Sequence, residues 1–274
     1  MVKLIARLSP RILCSALLLI ASVPGLAFAE HRFRELASFP AEEAHQGVAV
    51  DENHFYAITN SAVGKYELST GNRLAEWRST KDVSLKHLNS GMVFAGRLYC
   101  AHSNWPLVPL RSSIEIWETE KLQHVKTISF DQADGALNWV DRYDGIWYGV
   151  FAYYKHGADI SAADHVSRTR LVKFDADWKI VQTWTFPEHV WKRFAPSSNS
   201  GGSFAPDGTL YCTGHDRAEL YVMRIPKAGD VLEYIETISA PIAGQGIAWR
   251  LKPEPQLFGI RRAKSEVVHL EFVR

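Results

Sequence analysis

Two short segments of this sequence set histidine beside other polar side chains. One is Leu98-Tyr99-Cys100-Ala101-His102-Ser103-Asn104. The other is Leu210-Tyr211-Cys212-Thr213-Gly214-His215-Asp216. His45, next to Gln46, and His87, close to Asn89, add two more of the eleven histidines. Imidazole titrates near neutral pH, so it can take or deliver a proton, and its neutral form ligates metals. His45, His87, His102 and His215, with Asp216 or Gln245, have the ligand types for a divalent transition metal. A histidine base with Tyr153 or Tyr154 as paired acid suits a different chemistry. With Arg261 or Arg262 clamping a substrate carboxylate, it fits acid–base lyase action on a uronic-acid sugar. It fits cyclase, cycloisomerase or lactone chemistry equally well. Glycoside hydrolysis by a carboxylate pair is disfavoured, because it needs two acids. Asp216 is the one well-placed carboxylate, and Asp159 and Asp164 fall in a long loop.

These residues are far apart in sequence, so the fold must gather them, and a repeat shows how. The two leucine-tyrosine-cysteine segments align with three more: "HFYAITN" (54–60), "IWYGVFA" (146–152) and "LFGIRRA" (257–263). Each follows a turn signal such as Ala95-Gly96, Asp144-Gly145 or Pro206-Asp207-Gly208, as hairpins require. Ahead of the turns lie "GVAVD", "GMVFA", "ALNWVD", "GGSFA" and "GIAWR". Four of these open on glycine and one on alanine, and such small residues suit inner strands crowded about an axis. A third strand follows each core, and a fourth follows all but the last. "FRELASF" (33–39) has the pattern of the missing strand. Four strands repeated five times, with the N-terminal strand 33–39 closing the ring, predict an all-β, five-bladed β-propeller. A two-sheet sandwich is the competing fold.

In such a blade the first strand starts, and the second ends, on one face near the axis. The expected site on that face comprises His45, Gln46, Asn60, His87, Asn89, His102, Asn104, Trp139, Tyr153, Asn199, His215, Asp216, Gln245, Arg261 and Arg262. His45, His87, His102, His215, Asp216 and Tyr153 are the catalytic candidates. The others are candidates to bind substrate, with Trp139 as a stacking surface for a sugar. Successive strand residues point to opposite sides, so one of Arg261 and Arg262 should face in. The five rims differ, which favours one asymmetric site over repeated ligand sites. The expected function is therefore an enzyme acting on a small molecule or carbohydrate. The alternative is a non-catalytic carbohydrate- or protein-binding propeller.

The stretches "HQGVAVD…FYAITN…VGKYELSTG" and "GQGIAW…LFGI" resemble the secreted glutamine-cyclotransferase-like five-bladed propellers. The resemblance covers most of the chain after residue 29 and implies the same fold. For activity it implies attack of an amine on an amide, which calls for an acidic residue in the pocket. Asp216 is the candidate, with Glu42 and Glu43 less well placed.

The remaining features bound the setting. Lys3, Arg7 and Arg11, an apolar run from Ile12 to Val23, and Ala27-Phe28-Ala29 read as a secretory signal peptide cut after Ala29. The protein is thus expected in the periplasm or outside the cell, as residues 30–274 in a single domain. Lys plus Arg is 31 and Asp plus Glu is 30, and no basic stripe argues for nucleic acid. No other segment is apolar enough to insert stably in a membrane. The expected partner is a small-molecule or carbohydrate ligand, and the expected state a monomer. Beyond the leader the cysteines are Cys100 and Cys212. They occupy equivalent positions in blades separated by a third, too far apart for a disulfide, so two buried free thiols are expected.

Overall fold

The computed structural model describes residues 32–107, 109–130, 135–154 and 166–273. Strand β1 (Arg32–Pro40) runs first and joins the last sheet. Blade 1 is β2 (Gly47–Val50), β3 (His54–Thr59), β4 (Ala62–Glu67) and β5 (Arg73–Arg78). Blade 2 is β6 (Leu88–Phe94), β7 (Arg97–Ser103), β8 (Ser112–Glu118) and β9 (Gln123–Phe130). Blade 3 is β10 (Ala136–Tyr143), β11 (Ile146–Ala152), β12 (Arg170–Phe174) and β13 (Ile180–Thr185). Blade 4 is β14 (Gly201–Phe204), β15 (Leu210–Thr213), β16 (Glu219–Arg224) and β17 (Glu233–Ser239). Blade 5 is β18 (Ala248–Arg250), β19 (Gln256–Arg261) and β20 (Glu266–Val273), completed by β1. The five four-stranded antiparallel sheets make a five-bladed propeller, and the N-terminal strand closes it, from Arg32 opposite Val273 to Pro40 opposite Glu266.

Local chemistry accounts for the hairpins. Ala95-Gly96 and Asp144-Gly145 all have positive φ, from 48° to 78°, the paired left-handed conformation of a tight hairpin turn whose twist matches the strands. The outer strands alternate: in β5, Arg73 and Arg78 are exposed while Trp77 meets Trp117 edge-on at 5.0 Å. The apolar core lies between neighbouring blades. Blades 1 and 2 share Tyr56, Ile58, Leu98, Cys100 and Trp117; blades 3 and 4 share Trp139, Val150, Cys212 and Tyr221. Cys100 and Cys212 therefore sit in separate clusters, both buried and free, and burial pushes both thiols up.

At the axis the inner strands touch. A Cβ on Gly246 would fall 2.5 Å from Ser90 Cβ and 2.7 Å from Gly47 Cα. This waist separates the two ends of the axis, and only glycine fits there. Helix α1 (Glu188–Phe194) carries part of the extra length of the third unit and buries Val190 and Phe194 against blades 3 and 4. Residues 1–29, expected from the sequence to be a leader, and the loop bearing Asp159, Asp164 and His165 lie outside the described residues. No helix among the described residues is long and apolar enough to cross a membrane.

Candidate functional site

A cavity of about 380 Å³ opens where the first strands begin and the second strands end. All five blades contribute to it: Gln46 and Asn60 from blade 1, His87, Asn89 and Trp105 from blade 2, and Tyr154 from blade 3. Ser197, Ser200 and His215 come from blade 4, and Gln245 and Arg262 from blade 5.

The hydrogen bonds assign roles to the ring atoms. Gln46 Nε2 donates to Asn60 Oδ1 at 2.7 Å, which braces the first wall. Asn89 Nδ2 lies 3.2 Å from His87 Nδ1 and 3.4 Å from the His87 carbonyl oxygen. His87 Nδ1 also lies 3.1 Å from Ser103 Oγ; the Asn89 amide nitrogen can only donate, so a proton on Nε2, with Nδ1 accepting from both, satisfies these contacts. Burial pushes the His87 pKa down to about 4, with the charges of His102 and Arg262 adding to the effect. His87 is thus a neutral imidazole at pH 7 that offers an N–H. Its ring lies 5.3 Å from Trp105, which in turn lies 5.5 Å from Tyr154, forming an aromatic wall. Tyr154 Oη accepts from Asn138 Nδ2 at 2.5 Å, and burial pushes the phenol up to about 12. It keeps its proton and can donate it.

His215 is held differently. Its Nδ1 is 2.5 Å from Asp216 Oδ1, and its carbonyl accepts from Gln245 Nε2 at 3.2 Å. A carboxylate on Nδ1 holds the proton there and leaves the Nε2 lone pair as the base. Gln245 is fixed by a left-handed backbone, φ 67°, and by its N–H bond to the Gly214 carbonyl. Arg262 opens a short 3-10 turn, Arg262–Lys264, with an exposed side chain that has no carboxylate partner among the described residues.

The structure places the other sequence-predicted residues elsewhere. His45 Nε2 turns to Ser265 Oγ at 3.2 Å. His102 lies within blade 2, its Nδ1 2.8 Å from Ser113 Oγ, beside the buried Glu115 that is bound to His124 at 2.7 Å. Burial holds the His102 pKa below its ordinary value, against the pull of Glu115. Asn104 clamps its own loop through the Pro109 carbonyl and the Arg111 N–H. Tyr153 is buried, with the Arg168 guanidinium over its ring at 4.3 Å. Trp139 and Asn199 are core partners, indole Nε1 donating to Asn199 Oδ1 at 2.7 Å. Arg261 is taken by Glu35, Glu266 and the Pro241 carbonyl. Asp216 lies outside the cavity and reaches it only through His215. Of the four histidines named as metal ligands, His87 and His215 line the cavity, and His45 and His102 are turned away from it. Among the described residues no group of three or more His, Cys, Asp or Glu is placed to hold a metal ion. Ser197 had no signal beyond its place just before Ser198-Asn199-Ser200, because the loop after α1 follows no strand pattern.

No family model and no curated protein matches the chain. Solved structures do. The glutaminyl cyclase of Myxococcus xanthus superposes with a TM-score of 0.59 at 12% identity, covering 89% of this chain and 97% of that one. A luciferin-regenerating enzyme superposes with a TM-score of 0.53 at 11% identity, covering 89% and 95%. At these identities the likeness shows the propeller fold alone.

Proposed function

We propose that the axial cavity is the active site of an exported enzyme acting on a small polar molecule with an anionic group, acidic sugars included, by proton transfer. One observation carries this reading. A single cavity built by all five blades holds both a carboxylate-oriented imidazole, His215 with Asp216, and the Arg262 guanidinium, which has no carboxylate partner among the described residues. His215 Nε2 is the general base. Arg262 anchors the anion, where its planar fork suits a carboxylate. The Nε2–H of His87 and the phenol of Tyr154 donate to oxygen atoms that gain charge or a proton. Trp105 and Tyr154 form the face on which a ring rests. Lyase, cyclase and lactone chemistry all follow this plan. The fold shared with two chains that carry enzyme names supports the enzymatic reading without choosing among them.

The test is turnover of uronic-acid oligosaccharides and of lactones. His215→Ala should lower kcat by roughly 10²–10⁴-fold, the usual contribution of a positioned base. Arg262→Ala should raise KM by about 10–100-fold, the worth of a charged hydrogen bond, with a smaller change in kcat. A wild-type protein that binds these compounds without converting them is instead a carbohydrate-binding propeller. Full activity in His215→Ala would remove His215 as the base.

A further inference from the structure

One buried carboxylate lies outside the axial cavity, in the body of blade 2. Glu115, in β8, is 1% exposed. Its Oε2 accepts from His124 Nε2 at 2.7 Å and from Thr127 Oγ1 at 2.6 Å, both on β9. Its Oε1 accepts from Ser113 Oγ at 2.6 Å. Burial pushes this carboxyl up, but the three donors and the charge of His102 outweigh it and hold the group below its ordinary value. The His124 ring is held in turn by Trp77 and Trp117, whose centres lie 6.0 Å and 5.1 Å away.

The charge gives this network a direction. A carboxylate only accepts, so Ser113 Oγ gives its proton to Glu115 and accepts from its other neighbour, His102 Nδ1, at 2.8 Å. His102 therefore carries its proton on Nδ1 and keeps a lone pair on Nε2. That lone pair accepts from the backbone N–H of Lys86 at 3.4 Å. Lys86 precedes His87, and the next residue of β7 grips His87 itself. The Ser103 N–H donates to the His87 carbonyl at 3.1 Å, and Ser103 Oγ lies 3.1 Å from His87 Nδ1. The end of β7 thus holds Lys86-His87 at three points, and Glu115 sets the polarity of the first.

We propose that Glu115 is a positioning residue for His87: through Ser113 and His102 it fixes the segment that presents the His87 Nε2–H to the axial cavity. This rests on the reading of His87 as a donor in that cavity. Glu115 itself touches no substrate.

Glu115→Gln tests it. An amide has one acceptor oxygen, which goes where two donors meet, at His124 and Thr127. Its nitrogen then donates to Ser113, Ser113 donates to His102 Nδ1, and the His102 proton moves to Nε2, against the Lys86 N–H. Nitrogen NMR of the imidazole rings reads these tautomers without any substrate. In the wild type His102 should carry its proton on Nδ1 and His87 on Nε2. In Glu115→Gln the His102 proton should move to Nε2 and the His87 ring signals should shift. Hydrogen exchange at the Lys86 N–H should quicken by about threefold to tenfold, the worth of one hydrogen bond. On a substrate that the wild type converts, kcat should fall by a similar factor with KM unchanged. Glu43→Gln is the control, at a carboxylate equally buried but bound to Tyr66 and Arg73 in blade 1; it should leave all of these signals in place. If Glu115→Gln does not fold, Ser113→Ala, which leaves Glu115 to His124 and Thr127, should quicken the Lys86 exchange and shift the His87 signals instead. A wild-type His102 protonated on Nε2, or Lys86 exchange and His87 signals unmoved in the variant, would overturn the proposal. The expected tautomers and shifts in a protein that converts no substrate would support the positioning and count against the proton-transfer reading alone.

Discussion

Single residues set how this protein responds to acid, and they pull in opposite directions. His87 and His269 are both pushed down to about 4 by burial. Their folded pKa values lie below the unfolded value near 6.5, so the unfolded chain takes up protons first. The stability they contribute is complete above pH 6.5 and is lost as pH falls toward 4. Asp141 is raised from 3.8 to about 6, so it stabilises the fold as pH falls through that window. These two imidazoles, with His102 lowered in the same direction, outweigh one carboxylate. The unfolding midpoint should fall between pH 7 and pH 5, each imidazole costing about 1–2 kcal/mol at the lower pH. His269 stacks on Phe258 at 4.3 Å with a buried, unpartnered Nε2, so His269→Phe should shrink this fall. Thermal unfolding of both proteins at the two pH values checks it. An unchanged slope in His269→Phe would show that His269 does not titrate as its burial requires.

At the scale of elements, the hairpins were legible because their turns need particular residues. Ala95-Gly96 and Asp144-Gly145 mark the reversals, and alternation marks the strands that flank them. Which side chain meets the axis was harder to read. The ladder between β6 and β7 slips between Leu88 and Gly91, and that between β10 and β11 between Leu137 and Trp139. An extra residue in a strand reverses the facing of all that follow. Its place at the end of the second strand put His102 at the opening, where the structure turns its ring to Ser113 within blade 2. The register slip at Asn138 frees its amide to bind Tyr154, the tyrosine that reaches the cavity in place of Tyr153. Of the paired arginines, Arg262 lines the cavity from the 3-10 turn after β19, while Arg261, the last residue of that strand, is held by Glu35 from a strand far away in sequence. The glycines at the inner strands were readable, and the waist shows what they do. Gly246→Ala should cost about 1–3 kcal/mol through overpacking against Ser90 and Gly47, read as a lower urea midpoint with an unchanged slope. A neutral result would mean that the inner strands can spread.

At the scale of the whole molecule, the ring is closed by two segments from opposite ends of the sequence. Arg34 pairs with Glu271 and Arg261 with Glu35, beside the β1–β20 ladder. Phe33 is seated between Tyr211 and Trp249 at the join between blades 4 and 5. Cleavage after Ala29 would leave two residues ahead of β1, so the closing strand would be the new N-terminus. Intact mass of the exported protein should accordingly begin at Glu30; a start within 33–39 would remove the strand that closes the ring. The closure also imposes an order in time. Strand β1 is among the first parts of the domain to be made, and its partner β20 is among the last. While the chain grows, no version of the closed ring exists, and the edge that β1 will cover is still unmade. A nascent chain of this design stays open and threadable until residues 266–273 are complete. If the chain is exported unfolded, as its N-terminal sequence leads one to expect, topology supplies the delay that crossing a membrane before folding needs.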